Sequence, residues 1–310
     1  MATPAPTTVS GVDPRPTPKA VSRERRRIAR RRFWNTYRKS VMGMAGLVIL
    51  VVFVAMAVFA PVLVSSTGLD VTKVNGPPLQ GPSWAYPLGT DNQGRSVLTP
   101  IIWGSRISLM IGLLAALVSM VVGAVLGIVA GYRGGFIDTA LMRLTDWFLV
   151  LPWIALMIVL AAILGQSLAI IVLVIGLTSW AWTARLVRSQ TLSIRERPFV
   201  ERVRGLGASD SRIMLRHVLP NVMPVIIAQT ILSVALAILA ESTLSFIGLG
   251  DPLRVSWGQT LEQAFETGAV TLGAWWWIGA PGVCIVLLVL AFTMCSTALE
   301  EIFNPRLRQR

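Results

Sequence analysis

Long charge-free runs alternate with short polar, basic stretches along the chain. The first run, Val41 to Leu69, follows an arginine block and is long enough to cross a bilayer, since a helical span needs about 20 apolar residues. It is too long for a signal-peptide core and follows too long a leader, although "AMA" at 55–57 resembles a cleavage site, so it reads as a retained first span. Residues 65–105 are polar and turn-rich. A second span covers Ile107 to Tyr132, and Gly134 and Gly135 supply a tight turn after it. The charge-free run from Trp147 to Ala184 is too long for one helix; "GQS" at 165–167 divides it into spans at 139–164 and 168–190. A fifth span starts within Val218 to Ala240, with Asn221 as its cap and Pro224 in its first turn. A sixth lies within Thr267 to Leu299, entered through "WWW" at 275–277 as an interfacial aromatic belt. The fold class expected is all-α, integral to a membrane, with six transmembrane helices.

Composition agrees with that reading. Charged residues make up 14% of the 310, hydrophobic residues 54%, and mean hydropathy is +0.67. Soluble domains carry about 25% charged residues. The net charge of +13 sits in blocks beside the apolar runs, which is a topology signal rather than a nucleic-acid face. With the N-terminus inside, all of the 28 basic residues except Lys73, Arg95, Arg106 and Arg254 fall in cytoplasmic segments. Both termini and the loops 133–143 and 185–217 are then cytoplasmic. Residues 1–40 read as a disordered, Arg-rich tail, with Phe33, Trp34 and Tyr37 at the headgroup level and basic residues against anionic lipid. Residues 301–310 form a cytoplasmic tail.

Most chemistry is absent. None of Lys19, Lys39 and Lys73 sits in a glycine-rich phosphate loop, so ATP is not bound by that route. One histidine and two cysteines exclude an ordinary His/Cys metal site. Cys284 and Cys295 lie about three helical turns apart, too far for a disulfide. Arg143 and Asp146 share a helix face and are spaced to pair. Glu241 is an acid inside a span; with no second carboxylate or histidine near it, a structural partner is favoured over a proton relay.

One polar segment is unlike the others: "RERPFVERVRGLGASDSRIMLRHVLPNVMP". Phe199, Val203 and Leu206 repeat at helical spacing while Glu201, Arg202 and Arg204 face elsewhere. Gly205 and Gly207 end that helix, Ser209 and Asp210 are placed to cap a second, and Pro220 closes it. Two short amphipathic helices joined by a glycine turn are built to insert into a groove on another protein.

Glu201, Gly207 and the run His217-Val-Leu219-Pro220 resemble the "EAA" loop of ATP-binding cassette (ABC) importer permeases, E-A-A-x3-G-x9-I-x-L-P. Arg202 and Val203 replace the two alanines and His217 replaces the isoleucine. "YPLGTDNQGRSVL" (86–98), "GSRISL" (104–109), "AGYRGGFIDTALMRLTDWFLVLP" (130–152), "ESTLSFIGLG" (241–250) and "NPRLR" (304–308) are similar to the second permease subunit of dipeptide/oligopeptide importers. Nickel and glutathione importers share these stretches. The resemblance implies a type I importer permease in a bacterial cytoplasmic membrane, with the five-helix core at 106–300 and the coupling loop at 191–220. It implies ATPase-coupling roles for Glu201, Arg204, Gly207, Ala208, Ser209, Asp210, His217, Leu219 and Pro220. The implied partners are a second homologous permease, two ATP-binding subunits and an extracytoplasmic binding protein. ATP and Mg would be held by those partners, and this chain would need no cofactor. Short peptides are the expected cargo, with nickel or glutathione as the alternative. A secondary transporter would need paired broken helices and midplane charges, and a lipid or nucleic-acid anchor leaves the 201–220 loop unexplained.

Overall fold

The computed structural model describes residues 18–74 and 76–303. Among these, the only strand-like feature is a bridge between Thr90 and Ser96. The helices are α1 (Pro18–Tyr37), α2 (Val41–Leu63), α3 (Leu98–Arg133), α4 (Gly135–Val150), α5 (Trp153–Leu164), α6 (Leu168–Arg195), α7 (Pro198–Gly205), α8 (Asp210–Ile213), α9 (Leu219–Phe246), α10 (Trp257–Glu266) and α11 (Trp275–Phe303). Five are long and apolar enough to cross a membrane: α2, α3, α6, the continuous helix Asp210–Phe246, and α11. The pair α4 and α5, bent by 88°, makes the sixth if its two limbs count as one span.

The central contact is α3 against α6. Gly123, Gly127 and Gly131 recur every fourth residue along α3. A Cβ on Gly127 would lie 2.5 Å from the Ala184 carbonyl oxygen, and one on Gly123 2.6 Å from the Thr183 Cβ. In lipid there is no hydrophobic drive between helices, so close backbone approach through small residues supplies the packing. The same device seats α2 on α11, where a Cβ on Gly46 would meet the Ala291 carbonyl at 2.7 Å. Ser40 caps α2, its hydroxyl accepting from the Gly43 amide at 3.2 Å.

Several expectations are corrected. Residues 18–37, expected within a disordered tail, form α1. Arginine is a good helix former, and the helix docks its end on the bundle through Phe33, which stacks on Phe303, and buried Tyr37. The remainder of the expected tail, residues 1–17, and the "NPRLR" stretch at 304–308 lie outside the described residues. The second span begins at Leu98 rather than Ile107: Arg106 stays helical, its guanidinium over the Trp103 ring. The third span breaks at Leu151–Pro152, because proline donates no amide and holds the preceding residue extended. Asp146 pairs with Arg185 of α6, not with Arg143 on its own helix. The three tryptophans at 275–277 are no uniform belt: Trp275 is exposed, Trp276 donates to the Thr90 carbonyl at 3.1 Å, and Trp277 is buried.

The segment before α3 folds as a compact cap. Asp91 Oδ1 accepts from the Gln93 amide (2.9 Å) and the Arg95 amide (2.8 Å), and Oδ2 takes the Arg95 Nε at 2.7 Å. Arg95 also reaches Gln263 on α10 at 3.1 Å. Glu241 is buried at the same end of α9. It accepts from Ser245 Oγ at 2.8 Å and from Ser108 Oγ of α3 at 3.3 Å. The acid is thus a cross-link between spans.

Candidate functional site

The site is the loop that α6 enters and α9 leaves. Arg197 stands at the N-cap of α7 and Pro198 follows at the first helical position, where its missing amide costs nothing. Val200 is fully buried, in one cluster with Ile194 of α6, Tyr132 of α3, and Ile213, Val218 and Val222 further on. That burial holds the short helix against the ends of the spans.

The exit from α7 follows from two hydrogen bonds. The Gly207 amide donates to the Arg204 carbonyl (2.9 Å) and the Ala208 amide to the Val203 carbonyl (3.3 Å). This is a Schellman ending with glycine at its left-handed position; Gly207 has φ +81°. Ala208 and Val203 both pack in the cluster below, as such an ending favours.

The second helix differs from expectation in three ways. Ser209 occupies the N-cap position, yet its hydroxyl faces Ser211 rather than an amide of α8. The Asp210 carboxylate does not cap either; it accepts from the Tyr132 hydroxyl at 3.1 Å. Pro220 does not close the helix. The chain stays helical from Asp210 to Phe246 through a π-helical turn, Met214–Val218, just ahead of the proline. The ring of a helical proline collides with the carbonyl four residues back, and the wider turn accommodates it. Asn221 is not the cap of α9; its side-chain amide reaches back to the His217 carbonyl at 2.7 Å and braces the π turn.

Of the sequence-predicted residues, Glu201, Arg204, Gly207, Ser209, Asp210 and Pro220 lie exposed, and Ala208, His217 and Leu219 are half-buried. Two apolar side chains share that surface, Leu206 at 82% exposure and Leu215 at 65%. Arg204 from α7 and Asp210 from α8 converge on one span residue. Arg204 donates to the Tyr132 oxygen at 3.2 Å and sits over its ring at 5.4 Å. Tyr132 is the residue that sequence reasoning missed. It lay within a quoted stretch, but nothing in its spacing tied it to a loop more than 70 positions away.

The arrangement makes no nucleophile or metal cage. It is a surface with its own two-helix geometry, tied to a membrane helix by a hydroxyl. Solved structures show the fold: an inward-facing crystal structure of the MetNI methionine ABC transporter is similar with a TM-score of 0.52, at 18% identity, over 67% of this chain and 97% of that one. The architecture is that of a type I ABC importer permease.

Residues 123–309 match the family described as binding-protein-dependent transport system inner membrane component, and residues 29–82 match the N-terminal TM domain of oligopeptide transport permease C. A dipeptide transport system permease protein from Alkalihalophilus pseudofirmus is 35% identical over 87% of this chain and 88% of its own length. Another from Bacillus subtilis is 37% identical over 89% and 85%. A putative peptide permease protein from Brucella suis is 36% identical over 73% and 74%. The chain belongs to the family of binding-protein-dependent transport permeases. It is a multi-pass membrane subunit of an ABC importer and not an enzyme; ATP hydrolysis lies with partner ATPases.

Proposed function

We propose that this subunit forms one half of a membrane pathway for short peptides, pairing with a second homologous permease above two ATP-binding subunits, and that it takes cargo from an extracytoplasmic binding protein. The names of the relatives favour peptides over nickel or glutathione. A bare transition metal prefers imidazole or thiolate ligands, and His217 is distant in sequence from the cysteines of α11. The clustering of basic residues at both ends of the chain and in the 198–220 loop supports a cytoplasmic position for all three in a bacterial cell.

The observation that carries the coupling role is the loop's division of labour. Its buried side, Val200, Ile213 and Val218, belongs to the bundle. Its outer side leaves Leu206 and Leu215 exposed among Glu201, Arg204, Ser209 and Asp210. This face docks in a groove of an ATPase. ATP-driven closure of the ATPase pair moves the docked helices, and each state is favoured by the contacts it makes. Gly207 sets the angle between the two helices. His217, Leu219 and Pro220 carry the movement into α9 through the π turn, and Ala208 holds the joint to the core.

Uptake of labelled di- to tetrapeptides and of radioactive nickel by cells with and without this gene tests the cargo. Peptide uptake should vanish with the gene; unchanged peptide uptake with lost nickel uptake would reassign it. Orientation is read by an impermeant thiol reagent on intact cells, in a Cys284→Ala, Cys295→Ala background. A cysteine at exposed Trp84 should react and one at exposed Leu206 should not. The reverse pattern inverts the topology.

A further inference from the structure

The broken span creates a cavity. A space of about 570 Å³ opens at the elbow between α4 and α5, bounded by α3, α6 and α9. Its walls include Phe148, Trp153, Ser179, Trp182, Gln229 and Ser233. On α6 and α9 these positions, and on α3 Ser119, fall in the middle part of each helix. Among the described residues, no Asp, Glu, Lys or Arg lines it.

Three observations mark it as more than a packing gap. Ser119 of α3 stands at its wall, 1% exposed, with a buried hydroxyl that has no hydrogen-bond partner among the described residues. Buried polar groups are almost always paired, and in lipid an unpaired one is more costly still. The Gln229 side-chain amide also makes no hydrogen bond among the described residues, while the Ser233 hydroxyl is turned onto its own helix. Finally, the break leaves the last carbonyls of α4 and the first amides of α5 without helical partners, and α5 has no side-chain cap. Non-helical backbone at membrane depth is tolerated where it is buried in protein or lines a water-filled cavity.

We propose that this cavity is a transit subsite for cargo, holding an uncharged, apolar or aromatic side chain of a peptide against Phe148, Trp153 and Trp182 while Gln229 and the free backbone groups of the elbow meet its amides. The inference rests on the peptide-import reading above. The uncharged lining explains the chemistry chosen: a fixed charge would trap one class of peptide, whereas an apolar wall with a few neutral hydrogen-bonding groups is what a small-molecule site presents. The peptide's charged termini stay outside this subsite.

The test uses the assembled transporter, with its partner permease, ATPases and binding protein, in proteoliposomes. Uptake of alanyl-phenylalanyl-alanine is measured against triglycine. Ser233→Phe and Ser179→Phe, on different helices, each fill the cavity, and each should lower the ratio of the two uptakes about tenfold, the size of a steric penalty in an apolar pocket. In the unmutated complex, a tripeptide bearing a benzophenone side chain should cross-link to residues of the elbow and α6, and unlabelled peptide should compete. Fillers that depress both peptides equally, or neither, overturn the subsite. So does labelling of the cavity by a photoactivatable fatty acid with none by the peptide probe, which assigns it to a lipid chain. A wild-type complex that imports no peptide sinks the cargo reading itself; peptide import with an unmoved ratio sinks only the subsite.

Discussion

The cap at residues 76–97 and the loop at 198–220 are both polar interruptions of an apolar chain, and they handle their polar groups in opposite ways. In the cap, Asp91 and Arg95 are buried, bonded to each other, to backbone amides and to Gln263. The Thr90 hydroxyl donates to the Pro77 carbonyl at 2.6 Å and accepts from the Gln80 amide at 2.8 Å. Both charged groups there, and the buried threonine, find their partners within the described residues. In the loop, Glu201, Ser209 and Asp210 lie open, with Leu206 and Leu215 beside them. A segment that satisfies itself is a fixed lid on the bundle. A segment that leaves charges and leucines exposed is a surface awaiting a partner.

The contrast is sharpest for two aspartates. Asp91→Ala strands a buried guanidinium, and breaking a buried pair costs about 3–5 kcal/mol. The thermal unfolding midpoint of the purified complex should fall markedly. Asp210→Ala removes an exposed carboxylate and should leave that midpoint near its starting value. Equal losses for the two would erase the distinction between lid and docking surface.

The next effect concerns the joint itself. At Gly207 the left-handed backbone disfavours any side chain by roughly 1–2 kcal/mol, and valine, branched at Cβ, fits worst. Gly207→Val should remain in the membrane while transport and substrate-stimulated ATPase activity fall about tenfold, the rate equivalent of about 1.4 kcal/mol. Normal stimulation and transport in this variant would mean that the turn does not couple the subunits.

The smallest effect expected is at Tyr132. Phenylalanine keeps the buried ring and deletes the oxygen shared by Asp210 and Arg204. A hydrogen bond contributes about 1 kcal/mol net, so the complex should assemble normally, with transport per ATP hydrolysed reduced by about fivefold or less. An unchanged transport-to-ATP ratio would show that the loop moves α3 through packing alone.

The sequence alone determined the features that rest on local chemistry. Apolar run length marked where the spans lie, because a bilayer sets a minimum length. Basic residues carried an orientation, because their distribution is itself the signal. Gly207 was legible because the turn needs a positive φ that glycine adopts freely. Other features depended on neighbours distant in the chain. The partner of Asp146 was Arg185 rather than Arg143, three residues away, because α6 packs beside α4. Pro220, read as a stop, lies inside a helix because the π turn makes room for it. The arginine block became α1 once Phe33 and Tyr37 had a bundle to rest on. The elbow at Pro152 was written in the sequence as a proline, but the cavity inside it was not. Its walls come from four separate stretches of chain, and only packing decides which of their side chains face one another.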